Sequence, residues 1–491
     1  MFTRALTLIV TLLFTSVLFA QNGFVYTNDD SFFAPNTVSV MAIQSNGSLT
    51  QVGKFLTGGG GNAGNGFDAV RRIIVSPDNR FVFASNGRSN DVSAFTVDKT
   101  TGTLSLVPGS PFSTGGNGCS GIGLAATPDM HFLFAANTCS SNVSVFKIAS
   151  DGSLQLLGAP TSMGAIPVDL KVTSNGNFLM VSLFSFTGGL IGVFSIGSDG
   201  SLAPVAGSPF SDGNPPGAFT TSLDTNCASN LLFVVSASGL PKIDVFKIDP
   251  AGPLAQIAGS PFTAPGNGVT AIDLSPDEKF LFASNQLNSA TSFNVAADGS
   301  LSVVAGTPVA STGTPFLNGL ATDSTGRFLY VAGFINNIAA YTIDAGGGLT
   351  LQTGSPFHVS GIGGLESLAT FPSKSCSEKV SIEVKPGDAN PAINSQSNGT
   401  IPVAILASST FDPVAQVDTP SLKFGHSGTE NSLAFCNPNG EDVNGDGLPD
   451  LVCHFNTPAC GFLVGDTQAT LTGRTLTGNP IIGTAPITVV H

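Results

Sequence analysis

The chain has 491 residues, only 10% of them charged, and a formal net charge of −14. No basic patch is available to release counterions from a phosphate backbone, which argues against nucleic acid or anionic lipid as partners. With 59 Gly, 37 Phe and no Trp, the composition suits short strands joined by tight turns, and the length is too great for one ordinary core.

Residues 1–20, MFTRALTLIVTLLFTSVLFA, hold one charge at Arg4, an apolar run, and a small Ala20 before the polar Gln21. That is the form of a secretory signal peptide, so the expectation is a secreted, periplasmic or cell-surface protein. The run is marginal in length for a span, and no later run is long and apolar enough. No membrane span is therefore expected after cleavage.

From Phe24 onward one pattern is written seven times. An apolar burst starts at Phe24, Phe81, Phe132, Phe178, Leu231, Phe280 and Phe328. A hairpin turn follows each burst: NGSL at Asn46, TGTL at Thr101, DGSL at Asp151, Asp199 and Asp298, AGPL at Ala251 and GGGL at Gly346. GSPF then closes the units at Gly109, Gly207, Gly259 and Gly354, with weaker copies at Gly158 and Gly306. Four strands per repeat, with no helical pattern between them, predict a seven-bladed β-propeller over 21–373 in an all-β chain. Blades stack face to face, so their strands should be apolar on both sides, as FVFA at 81–84 is.

The first repeat has no room upstream for the innermost strand that others possess, such as AVRRIIVSPD at 69–78. GLESLATFPS at 364–373 resembles such a strand but precedes no further blade. Pairing of 365–371 with 24–27 is predicted to close the ring and leave no open sheet edge.

SPDNRFVFASN at 76–86, SPDEKFLFASN at 275–285 and the DGSL turns resemble the seven-bladed lactonase-like propellers, of the 6-phosphogluconolactonase and YVTN-repeat type. The resemblance covers 24–373 and implies the fold. The matching residues are turn and packing residues, so chemistry must be argued from a site. In such propellers ligands meet the face where loops enter the innermost strands. The titratable residues expected near that face or the channel are Asp68, Arg71, Arg72, Arg88, Asp169, His358 and Glu366. A lactone hydrolase needs a base to activate water and cations to hold the oxyanion, and Glu366 or His358 with Arg72 or Arg88 are the catalytic candidates. The primary expectation is a binding module for a carbohydrate, an envelope component or another protein on the propeller face. Hydrolysis of a lactone or related cyclic ester is the alternative. Export weighs against a cytosolic sugar phosphate as substrate.

Seven Cys in an exported chain read as disulfides. Cys119 and Cys139 fall on one face of one blade and are expected to pair. Cys436 with Cys453 is expected as well, Cys376 with Cys460 is a further possibility, and Cys227, alone in a turn on the opposite face, is read as a free thiol.

After 373 the composition shifts. Residues 374–491 are strand-rich with Gly, Pro and Asn turns, which predicts a smaller β-sandwich. IEVKPGD, IPVAIL, EDVNGDGLPDLVCHF and GDTQATLTG resemble a C-terminal module that recurs on secreted bacterial proteins. His426 and His454 show no metal-ligand spacing and read as surface or turn residues. Asp442, Asn444 and Asp446, with Gly447, the Leu448 carbonyl and Asp450, fit a calcium loop through its ninth position. Position twelve is Cys453 in place of a bidentate Glu, and LVCHF reads as a strand. The remaining ligands would come from water or from Glu430, Glu441 or Asp466.

Overall fold

The computed structural model describes residues 23–490 other than 31–34, 62–70, 119–120, 187, 214–218, 238–240, 267, 312–316, 334, 361–363, 366, 375, 377, 409–410, 429 and 477–479. Seven antiparallel sheets form the propeller, and in all but the first the strands run innermost to outermost along the chain. The innermost strands of blades 2 to 7 are Ile73–Val75, Ile122–Ala126, Ile166–Val172, Phe219–Thr225, Val269–Leu274 and Leu317–Thr322. Blade 1 joins both ends of the propeller. Phe24–Asn28 lies between Pro35–Ile43 and the late strand Ser367–Phe371, with Phe24 opposite Phe371 and Asn28 opposite Ser367. The expected closure is therefore present, and the edge of the first strand is covered.

The repeated motifs have direct physical roles. In the turn after the innermost strand, Ser76 Oγ donates to Asp78 Oδ1 at 2.6 Å and accepts from the Phe81 N–H at 2.9 Å. Ser275, Asp277 and Phe280 repeat the arrangement at 2.7 and 3.0 Å. The SPD sequence thus satisfies backbone donors at the start of both bursts. The burst then buries both faces: Phe81, Val82, Phe83 and Ala84 are all at most 3% exposed. Across blades, the glycine of each DGSL-type turn lies under the burst of the preceding blade. Gly102 meets Phe24, Gly152 meets Phe81, Gly200 meets Phe132, Gly252 meets Phe178, Gly299 meets Leu231 and Gly347 meets Phe280. Gly47 of blade 1 meets Phe328 of blade 7, so the cycle closes on itself.

Beyond the propeller, two four-stranded sheets share one core. One holds Glu378–Lys379, Pro480–Pro486, Gln468–Thr475 and Val417–Gly425, and the other Ile382–Val384, Thr400–Ile405, Leu451–Asn456 and Leu433–Cys436. Val403, Phe424, Phe455, Leu471 and Ile481 lie between them, with the Phe424 and Phe455 rings 5.0 Å apart. LVCHF is a strand, as its pattern predicts.

The cysteine pairing differs in part from expectation. Cys436 and Cys453 face each other on neighbouring strands and are bonded. Cys227 is not a free thiol: it is bonded to Cys376, because the chain leaving the last innermost strand passes the turn that carries it. Cys376 is therefore not paired with Cys460, which is a free thiol buried in the sandwich core, where burial pushes it up to about 11. Cys139 is disulfide-bonded, and its expected partner Cys119 lies outside the described residues.

Candidate active site in the channel

The third residue of each burst faces one residue of its innermost strand, which fixes a level ring around the channel. In blades 1, 2, 3 and 7 that residue is Ala369, Ile74, Ala125 and Ala321. In blades 4, 5 and 6 it is Lys171, Asp224 and Asp273. Seven copies of one framework thus carry charge on one side of the channel only. The repeat itself does not require that asymmetry, so it marks the wall to read for chemistry.

Carboxylates on this wall hold cations in place. Asp224 pairs with Lys171 at 2.7 Å, Asp169 pairs with Arg71 reaching from blade 2, and Asp273 pairs with Lys374 from the chain after the propeller. The same acids stitch adjacent blades. Asp169 accepts from the Leu223 N–H at 3.1 Å, Asp224 from the Leu274 N–H at 3.0 Å, and Asp273 from the Thr322 N–H at 2.9 Å. Asp169 is fully buried, and burial pushes its carboxyl above the ordinary value against the pull of Arg71. Burial works against charge on Arg71 also, but Asp169, Asp224 and Asp273 overcome it and hold the guanidinium protonated. At Asp224 burial raises and the charges of Lys171, Lys374 and Arg71 lower; the charges win, and the carboxyl lies well below the usual range.

Arg71, Lys171, Asp273 and Lys374 line a cavity of about 1080 Å³ that runs from the channel to the turns following the innermost strands, while Asp169 and Asp224 hold their cations from behind. Arg71, Arg80, Lys171, Lys374, Lys379 and Arg474 border it, six of the chain's 18 Lys and Arg. A chain so poor in cations gathers many of them here. The segment after Phe371 crosses this mouth of the channel. Ser373 bonds Asn79 and Ser76 of blade 2 at 2.6 and 3.2 Å, Lys374 reaches the Leu274 carbonyl of blade 6 at 2.6 Å, and Cys376 is bonded to Cys227 of blade 5.

Arg71 and Asp169 are thus brought together, whereas the other described candidates are dispersed. Arg72 is buried and paired with Asp30 at the start of blade 2's innermost strand. His358 sits on the outermost strand of blade 7, exposed, with Nδ1 3.2 Å from Asn337 Oδ1. Arg88 is exposed, its N–H donating to the Gly60 carbonyl at 3.1 Å. Glu366 and Asp68 lie outside the described residues. Lys171, Asp224, Asp273 and Lys374 are additions from the structure. For the first three the sequence signal is the acid or lysine inside an innermost strand, in IPVDLKV, FTTSLDT and VTAIDL, where other blades read IGLAA or SLATF.

In the C-terminal sandwich, Asp442 accepts from the Gly445, Asp446 and Gly447 N–H groups at 2.8 to 3.1 Å, and Asp446 from Leu448 at 2.8 Å. Asn444 donates to Asp446 Oδ2 at 3.0 Å. Asp450 is buried and turned inward, accepting from Ala407 at 2.7 Å and Val443 at 3.0 Å. Asp442, Asn444 and Asp446 are therefore gathered at one exposed loop, and Asp450 supports it from beneath. His426 pairs with Asp466 at 2.8 Å, and His454 stacks on Phe435.

The family model for the lactonase seven-bladed β-propeller matches residues 34–148 and 241–363. The propeller is lactonase-like. Among curated relatives, this chain is 26% identical over 163 residues to the 6-phosphogluconolactonase of Pectobacterium atrosepticum, covering 31% of this chain and 47% of that protein. It is 25% identical over 196 residues to that of Pectobacterium carotovorum, covering 38% and 55%. The chain spans about half the length of these relatives. The lactonase-like propeller also superposes on the periplasmic gluconolactonase of Pseudomonas aeruginosa with a TM-score of 0.58 and 18% identity, over 71% of this chain and 98% of the other. At that identity the likeness is one of fold.

Proposed function

We propose that the lactonase-like propeller hydrolyses a cyclic ester at the charged wall of its channel. The observation that carries this reading is that, at one level of the ring, charged residues occur only in blades 4 to 6, with Arg71 reaching that wall from blade 2, in a propeller matched by the lactonase family model. Arg71 and Lys171 border the cavity and polarise the ester carbonyl, stabilising the oxyanion that forms when water attacks. Asp169 and Asp224 are positioning residues: each fixes its cation while bonding the next blade, so no reorganisation is needed as charge develops. The comparisons favour this hydrolase over a module that only binds. Hydrolysis of a panel of sugar and alkyl lactones, followed by acid release, tests it.

The reading places the protein outside the cytoplasm, supported by the form of residues 1–20 and by two disulfides among the described residues. No described helix is long and apolar enough to cross a membrane. For the sandwich we propose a calcium ion held by Asp442, Asn444, Asp446 and the Leu448 carbonyl. Supporting this are the exposed side chains at alternate positions and the sharp turn at Gly447, where φ is 86°. The ion would tie the loop between two strands and does not enter the chemistry of the channel.

A further inference from the structure

Four separate segments converge beside the channel mouth. The turns of blades 4, 5 and 6 bring Ser174, Cys227 and Glu278, and the chain leaving the propeller brings Cys376. Ser174 Oγ lies 3.1 Å from Cys376 Sγ, and the Cys227 N–H donates to Glu278 Oε1. The two sulfurs and one Glu278 oxygen all lie within 4.8 Å of one another. All three residues are half-buried and border the cavity, so an ion can reach them.

Both Glu278 and Cys227 are particular to their blades. Glu278 has φ of 60°, and the equivalent turn positions carry Asn79, Met130, Gly176, Ser229 and Gly326 in blades 2, 3, 4, 5 and 7, so only blade 6 places a carboxylate there. Cys227 is equally particular to its blade, standing where other turns have Pro77, Pro128, Ser174 or Pro276.

We propose that, once its disulfide is reduced, this cluster is a site for a thiophilic divalent cation of the zinc class. Cys227 and Cys376 thiolates and the Glu278 carboxylate are the protein ligands, with the fourth position toward the cavity and Ser174. Two thiolates and one carboxylate give the soft and oxygen donors that a tetrahedral zinc ion takes. The conversion balances. A dithiol reductant supplies two electrons and two protons to the Cys227–Cys376 bond and leaves as its own disulfide, and the two thiols release their protons to solvent when the cation binds. One set of residues then holds the segment across the channel mouth in both redox states, by a covalent bond when oxidised and through the ion when reduced.

The test uses the full mature chain, reduced with a dithiol and freed of reductant, titrated with cadmium and followed by the sulfur-to-cadmium charge-transfer absorption. The expected result is one equivalent bound by the reduced chain beyond the Cys227→Ser/Cys376→Ser double variant treated alike, with zinc displacing it competitively. Glu278→Gln, which keeps both thiols, should weaken zinc by at least about tenfold. Equal cadmium uptake by the reduced chain and the double variant, or full zinc affinity in Glu278→Gln, would overturn the proposal.

Discussion

Gly47 of blade 1 lies so close under Phe328 of blade 7 that a Cβ built on it would stand 2.3 Å from the ring. Its φ of 87° is itself a conformation that other residues rarely adopt. Gly47→Ala should therefore cost about 2–4 kcal/mol, combining a left-handed backbone with overpacking at the seam of the ring. Gly306→Ala has a similar φ of 86° but meets nothing within 4 Å, and should cost only about 1–2 kcal/mol. Denaturant unfolding of both variants measures the difference, and equal losses would remove the ring contact as a stabilising element.

Ring closure makes a second prediction. A chain ending at residue 361 loses Ser367–Phe371 and exposes the edge of Phe24–Asn28, whose residues are all buried. It should self-associate through that edge. Light scattering that finds a monomer with unchanged melting would contradict the closure.

The disulfide between Cys227 and Cys376 spans 149 residues and ties blade 5 to the chain beyond the propeller. Chain-entropy reasoning gives a ceiling of about 5 kcal/mol for its contribution. Non-reducing peptide mapping should recover the two peptides joined and Cys460 alkylated only after denaturation. Alkylation of Cys227 in the folded chain would reject the bridge.

The propeller was legible because its packing is periodic: burst and turn each do one job seven times, GSPF or a weaker copy follows in six of the repeats, and the stray strand at 364–373 had only one vacancy to fill. The Cys227–Cys376 bond was not legible, because it depends on where an irregular segment crosses the channel. The site was half legible. Arg71 and Asp169 stood among the candidates, but nothing in sequence says that Arg71 of blade 2 reaches blade 4, or that Lys374 from beyond the propeller meets Asp273. His358 and Arg72 looked equally plausible until one lay on the rim and the other was consumed by Asp30.

Calcium should stabilise the sandwich. With a dissociation constant of ~0.1 mM, ~1 mM calcium adds roughly 1.4 kcal/mol. Calorimetry should show a melting rise with calcium that Asp446→Ala abolishes. Identical melting in calcium and in chelator would remove the ion.

The exposed His426–Asp466 pair gives the sandwich a pH signature. Asp466 raises His426 above 6.5, so its contribution is full below that value and is lost as pH rises through the raised pKa. The Leu463 N–H and His426 hold Asp466 below 3.8, so its contribution is present above that value and is lost as pH falls through the lowered one. The pair therefore stabilises most between the two, near pH ~5. Melting of Asp466→Asn against the unchanged chain should differ most there, and a difference that is flat with pH would contradict the pairing.

The most direct test of the central claim is lactone hydrolysis by the mature chain, compared with Arg71→Gln and Asp169→Asn. The account predicts measurable turnover of at least one cyclic ester. Removing the Arg71 guanidinium should lower kcat by about 10²–10³. Asp169→Asn should also lower kcat, with KM less affected, because it frees Arg71 without removing it. No hydrolysis of any lactone, or turnover untouched by Arg71→Gln, would contradict the account and return the propeller to a binding role.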